Sequence, residues 1–107
     1  MVSNHGLDDL FHALADPTRR RILERLREGE RTVGELAAPF PISRPAISKH
    51  LAVLARAALV EREARGRETV IRLRAEPLRR ARDWAERYEK FWRGRLDSLA
   101  GYLEEGE

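Results

Sequence analysis

Residues 32–54, TVGELAAPFPISRPAISKHLAVL, constrain this chain more than any other stretch, because caps, breakers and apolar spacing together place two short helices around a tight turn. Thr32 followed by Glu35 forms a capping-box pair, in which each side chain reaches the other residue's main-chain amide. Pro39 and Pro41 stop the first helix, since proline has no amide donor and disfavours helical angles in the residue before it. Ser43 restarts the chain as an N-cap, and Pro45 falls in the first turn, where amides have no helical acceptor. Ile47, Leu51 and Leu54 then recur at helical spacing and mark a buried stripe. The pattern predicts a helix-turn-helix over residues 32–57, a device that sets the edge of its second helix into the major groove of DNA.

With that stripe turned inward, Pro45, Lys49, Ala52 and Arg56 face outward, flanked by Arg44, Ala46 and Ser48 near the amino-terminal end. In helix-turn-helix docking this end carries the base-reading residues, and it aims free amides and a positive dipole at phosphate. Arg44 and Lys49 can donate to guanine or phosphate and Ser48 to either, while Ala46 can touch a thymine methyl. Ser43, Pro45 and Arg56 complete the expected DNA-facing set on this helix, with His50 at its edge, where it is expected to pack or to touch phosphate. The alternative for such a face is plain solvation in an ordinary helical domain.

Upstream, Leu7 to Ala15 form an amphipathic helix with Leu7, Leu10, Phe11 and Leu14 on one side. Asp16 and Pro17 cap and open the next helix, which turns Ile22, Leu23 and Leu26 inward and has Gly29 as its expected C-cap. The Arg19-Arg20-Arg21 run begins it. Such a run is ordinarily a solvated face; beside DNA, Arg19 is expected to grip phosphate. Downstream, residues 59–74 predict a β-hairpin, with strands at Leu59-Val60 and Thr69 to Leu73 and a turn from Ala64 to Glu68. Arg62, Arg65 and Arg67 surround Gly66 at its tip. A hairpin directly after a recognition helix is a wing, and its arginines can follow phosphates or enter the minor groove. DNA contact is the favoured reading, and the alternative is a charged tip that keeps the hairpin soluble and blocks edge pairing.

Residues 77–103 predict one long helix, about 40 Å at the usual rise. Leu78, Ala81, Trp84, Tyr88, Phe91, Trp92, Leu96 and Leu99 fall along it at three- and four-residue spacings. A compact domain cannot cover so long an apolar stripe. The expected solution is a two-fold homodimer, in which this helix meets Leu7, Leu10 and Phe11 of the first helix. A small organic effector seated among the aromatics is one alternative, and a winged helix that docks a partner protein is another.

At 107 residues, the chain is expected to be one domain, mainly α with a small β-hairpin. Its basic middle, between acidic ends (Asp8, Asp9 and Asp16; Glu104 and Glu105), suits a protein that meets a polyanion with one face. The absence of cysteine excludes disulfides, iron–sulfur clusters and thiolate metal sites. His5 and His12 lie on one helical face but form only a weak metal pair, so no metal or cofactor is expected. No apolar run approaches the ~20 residues of a membrane span, and the expected location is the cytoplasm. A glycine-rich phosphate loop, a cysteine nucleophile and a histidine set between serine and aspartate are all absent, which argues against an enzyme.

The strings FHALADPTRRRILERLREGERTVGELA at 11–37, ISRPAISKHLAVLARAALV at 42–60 and EREARGRETVIRLR at 61–74 resemble the arsenic-repressor-type (ArsR) winged helix regulators. The resemblance spans about residues 5–74, and the tail FWRGRLDSLAGYLEE resembles a subgroup that does not sense metals. It implies a homodimeric repressor on a palindromic operator, with double-stranded DNA as partner and no effector named. Metal-sensing members carry cysteines where this chain has Thr32 to Ala37, or His and Asp on paired carboxy-terminal helices, and residues 77–107 hold no histidine.

Overall fold

The computed structural model describes the backbone of residues 3–105, with the side chains of all of these except 3–5, 96, 97, 102, 104 and 105. The expected interface role of Leu96 and the metal role of His5 therefore lie outside the described residues. Six helices and three strands follow in the order α1 (Ser3–Leu14), α2 (Pro17–Leu26), β1 (Arg31–Thr32), α3 (Val33–Ala37), α4 (Arg44–Arg56), β2 (Val60–Arg65), β3 (Glu68–Leu73), α5 (Leu78–Glu86) and α6 (Glu89–Glu105).

Local chemistry sets most of these boundaries. The Asp16 carboxylate accepts the Arg19 amide at 3.0 Å and opens α2, with Pro17 in its first turn. Both capping-box bonds form at α3: the Glu35 amide donates to Thr32 Oγ1 at 3.1 Å, and the Thr32 amide donates to Glu35 Oε1 at 2.9 Å. Helix α2 ends at Leu26, so Gly29 (φ 141°) lies in the following loop rather than at the cap. At the end of α4 the Leu59 amide bonds the Leu54 carbonyl and the Ala58 amide bonds the Ala55 carbonyl, a Schellman closure. It requires a left-handed residue, and the chain supplies Ala58 (φ 60°) where glycine is usual.

The three strands form an antiparallel sheet in the order β1-β3-β2. Strand β1, too short to show a sequence period, pairs Arg31 with Ile71 and Thr32 with Val70, and so fastens the start of α3 to the central strand of the wing. The β2–β3 turn is two residues, Gly66-Arg67, tighter than the expected span of 64–68. A positive φ at Gly66 (60°), without one at Arg67, is the type II′ pattern that matches strand twist. Leu10, Ile22, Leu36, Ile47, Leu51, Leu54, Leu59 and Ile71 close one core among α1–α4 and the sheet.

The carboxy-terminal segment is two helices rather than the expected single one. No proline or glycine lies between Ala85 and Phe91. Instead the amides of Arg87, Tyr88 and Phe91 bond carbonyls three residues back, tightening the backbone where the two helices meet. Leu78 and Ala81 pack against the core and hold α5 beside α1; beyond Tyr88 the body no longer constrains the chain direction. The molecule is accordingly elongated, 64 × 39 × 21 Å.

Candidate nucleic-acid interface

Helix α4 lays out the interface. Ile47, Leu51 and Leu54 point into the core, while Arg44, Pro45, Ser48, Lys49, Ala52 and Arg56 are exposed and Ala46 is half-buried. Ser43 Oγ accepts the Ala46 amide at 3.3 Å, so this hydroxyl serves the helix cap. Arg44, Pro45 and Ser48 face Arg67, Glu68 and Thr69 of the wing across a groove of 380 Å³ floored by Thr32 to Gly34. The groove brings together three of the residues expected on α4 and one of those expected on the wing. Gly34, missed from the sequence, lets the Arg44 guanidinium lie close over α3, since a Cβ there would come within 2.2 Å of an Arg44 nitrogen. A glycine inside a five-residue helix was the available signal.

The cations divide by partner. Arg65 and Arg72 alternate with Glu30 and Glu63 in a closed ring. Arg65 reaches Glu30 at 2.6 Å and also bonds Glu63, and Arg72 reaches Glu63 at 2.6 Å and Glu30 at 3.3 Å. Arg74 pairs with Glu61 at 2.6 Å. The Arg65 hydrogen bond, then the Arg65 and Arg72 charges, holds the Glu63 carboxyl below its ordinary value despite some burial. The bonds and charges of Glu63 and Glu30 push the Arg65 guanidinium up. Arg65 is therefore a clamp between the wing and the α2–β1 loop, a structural role beside the DNA contact expected of it. Among the described residues Arg44, Lys49, Arg56, Arg62 and Arg67 form no ion pair.

Arg19, expected to grip phosphate, is placed differently. Only 9% exposed, it donates from Nε to the Ala13 carbonyl and from a terminal nitrogen to the His12 carbonyl, each at 2.8 Å. Its other terminal nitrogen lies 3.2 Å from His50 Nδ1. A guanidinium so enclosed is out of reach of phosphate. His50 is half-buried at the edge of α4 and turned towards Arg19. Burial pushes the nearby Asp16 carboxyl up, but the bond from the Arg19 amide and the Arg19 charge act against it, and the group lies below its ordinary value.

Of the residues expected at a dimer interface, Leu10 is fully buried in the chain's own core, and Leu7 and Leu78 pack against that core. Phe11, Trp84, Tyr88, Phe91, Trp92 and Leu99 are exposed. Four of them form a ladder running from α1 onto α6: Phe11–Trp84 at 5.4 Å edge-on, Trp84–Tyr88 at 5.2 Å and Tyr88–Phe91 at 6.3 Å between ring centres. Trp84, Ala85, Tyr88, Phe91 and Trp92 line an apolar groove of 280 Å³. Among the described residues no group of three His, Cys, Asp or Glu side chains is placed to hold a metal, and no helix is long and apolar enough to cross a membrane.

A helix-turn-helix with a basic hairpin beside its second helix defines a winged helix DNA-binding protein. The helix-turn-helix domain family matches residues 14–63. The chain is 43% identical over 104 residues to the HTH-type transcriptional regulator Rv2034 of Mycobacterium tuberculosis, covering 97% of this chain and 92% of the relative. It is 36% identical over 78 residues to the transcriptional repressor SdpR of Bacillus subtilis, covering 73% and 87%. A crystal structure of an ArsR family transcriptional regulator superposes with a TM-score of 0.78 at 34% identity, over 84% of this chain and 93% of that one. The chain belongs to the ArsR family of helix-turn-helix transcriptional regulators, DNA-binding proteins rather than enzymes.

Proposed function

We propose that the protein acts as a homodimeric repressor in the cytoplasm, one α4 entering the major groove at each half of a palindromic operator. Arg44, Ser48 and Lys49 meet base edges or the adjoining phosphates, and Arg67 and Arg62 of the wing run along the backbone. Half-sites about 34 Å apart, one helical turn, suit the usual geometry. The observation that carries this assignment is the sorting of charge. Arg44 and Arg67 stand unpaired on two sides of one groove, while Arg65, Arg72 and Arg74 just behind them are neutralised by glutamates. Repression follows from occlusion of a promoter and needs no chemistry. The exposed aromatic ladder supports pairing of two copies through α1, α5 and α6.

Fluorescence anisotropy of the protein against duplex DNA from its own upstream region, and against a scrambled duplex at matched salt, tests the assignment. Preference for the native duplex by about 10³ or more is expected for a sequence-specific repressor. Absence of binding even at low salt, with a monomer in sedimentation, favours a protein-docking module instead. The apolar groove between α5 and α6 supports one addition, an organic effector at the interface. Release of the duplex by a small aromatic or aliphatic compound, lost in Trp84→Ala, is the expected sign of it.

A further inference from the structure

We infer that Arg19 is a positioning residue for DNA binding: it fixes His50 as the neutral tautomer protonated on Nε2, so that α4 presents an uncharged N–H donor to a DNA phosphate. This rests on α4 being the helix that lies along the DNA. Arg19 is held from behind by the His12 and Ala13 carbonyls, both at 2.8 Å, in the last turn of α1. Neither carbonyl has a partner four residues on, although that of His12 also accepts the Ala15 amide at 3.2 Å, and both carry the partial negative charge of a helix end, which suits a buried cation. Two bonds fix the plane of the guanidinium, and the remaining terminal nitrogen meets His50 Nδ1 at 3.2 Å.

A guanidinium has only donors and keeps its proton, so His50 Nδ1 must be the acceptor. A neutral imidazole that accepts at Nδ1 carries its hydrogen on Nε2. Asp16 is the other charged group near the ring. Its Oδ2 lies 3.9 Å from Nδ1, beyond a hydrogen bond, and already accepts the Arg19 amide at 3.0 Å. Nε2 has no partner among the described residues. The single buried side-chain polar atom without one there is Arg25 Nε, so His50 Nε2 reaches solvent, from a side chain 23% exposed. His50 stands at the edge of α4, between the buried stripe of Ile47, Leu51 and Leu54 and the exposed Lys49, and a phosphate contact from such an edge positions the helix without reading sequence. The same guanidinium thereby joins the end of α1 to α4.

Two-bond ¹H–¹⁵N correlation of the intact protein at pH 8 reads the tautomer directly. An unprotonated Nδ1 with a protonated Nε2 on His50 is expected, and a protonated Nδ1 overturns the inference. Anisotropy with the duplex of the protein's own upstream region supplies the second test. His50→Gln, whose amide reaches where Nε2 stood, is expected to bind within about threefold of the unsubstituted protein. His50→Leu is expected to lose about tenfold. Its salt slope stays unchanged, because a neutral donor releases no counterion. Arg19→Met is expected to mix the tautomers and lose as much as His50→Leu, with no further loss when the two are combined. Should Arg19→Met fail to fold, the tautomer of the intact protein and the two His50 variants still decide. Equal affinities for His50→Gln and His50→Leu overturn the inference alone if Arg44→Ala and Lys49→Ala weaken binding. If those two are also neutral, the assignment of α4 falls with it.

Discussion

Along α4, Ile47, Leu51 and Leu54 are at most 1% exposed, whereas α5 buries no residue and Phe91 and Trp92 of α6 stand 68% and 66% exposed. Both regions carry apolar residues at helical spacing, yet only one finds its cover within the chain. The body encloses its stripes with α1, α2 and the sheet. The carboxy-terminal arm, α5 and α6, is as aromatic as a core, but beyond Leu78 and Ala81 at its root the aromatic contact it makes with the body, among the described residues, is that of Trp84 with Phe11. The difference teaches that amphipathic spacing states that a face will be covered without stating by what, and large exposed apolar surfaces of this kind mark places where a partner or ligand binds.

The largest expected effect lies in the body. Leu51→Ala should lower unfolding stability by about 2–5 kcal/mol, through lost burial and a residual cavity. Urea titration would show a lower midpoint at unchanged slope, and DNA binding would fail with it. Phe91→Asp should leave the folded body intact but weaken pairing by about 2 kcal/mol or more, seen as monomer in sedimentation velocity. An equal loss of body stability at dilutions where the chain is single would break the contrast between the two regions.

Within the interface, Lys49→Ala should weaken specific binding by about 1–3 kcal/mol if it reaches a base edge. Arg67→Ala should weaken operator and random DNA alike and flatten the salt slope by about one unit, while Arg65→Ala leaves that slope unchanged. Equal slopes for the two wing variants would show that the Glu30–Arg65–Glu63–Arg72 ring opens on DNA. Ala58→Gly should stabilise by about 0.5–1 kcal/mol, by relieving a left-handed alanine at the end of α4.

The smallest effect per group is on acid stability. Asp16, Glu35 and Glu63 are all held below their ordinary values; for Glu35 the main cause is its bond from the Thr32 amide. A carboxylate depressed in the folded state binds its proton first in the unfolded chain. Its contribution is therefore fully present above the unfolded pKa and disappears as pH falls through the folded one. The urea midpoint is expected to be flat from about pH 7 to 5.5 and to fall below about pH 5. Glu63→Gln should shrink that fall, and an unchanged profile would remove the ring from the account of stability.

Much of the body was legible because its signals are local. The Thr32/Glu35 capping box, the Asp16 and Ser43 caps, the proline stops and the Ile47–Leu51–Leu54 stripe act within a turn of chain, and each sits in the structure where its spacing puts it. Strand β1 was not legible, because two residues carry no period and its pairing depends on Val70 and Ile71, nearly forty positions away. The end of α4 was hidden for another reason: the usual glycine is absent, and Ala58 adopts the left-handed turn because Leu59 must enter the core beside Leu54.

The sequence by itself determined the succession of α1 to α4 and the wing, the inward and outward faces of α4, and the arginines at the wing's tip. Only the tertiary structure decided which cations remain available. Arg19 and Arg44 each begin a helix and look alike in sequence, yet one is enclosed by carbonyls of α1 and the other stands over Gly34 at the groove. Arg65 and Arg67 are two residues apart, and one is neutralised by Glu30, 35 positions earlier in the chain. Helix and turn propensity depend on neighbours within a few residues, whereas burial and ion pairing depend on which distant segments the fold brings into contact.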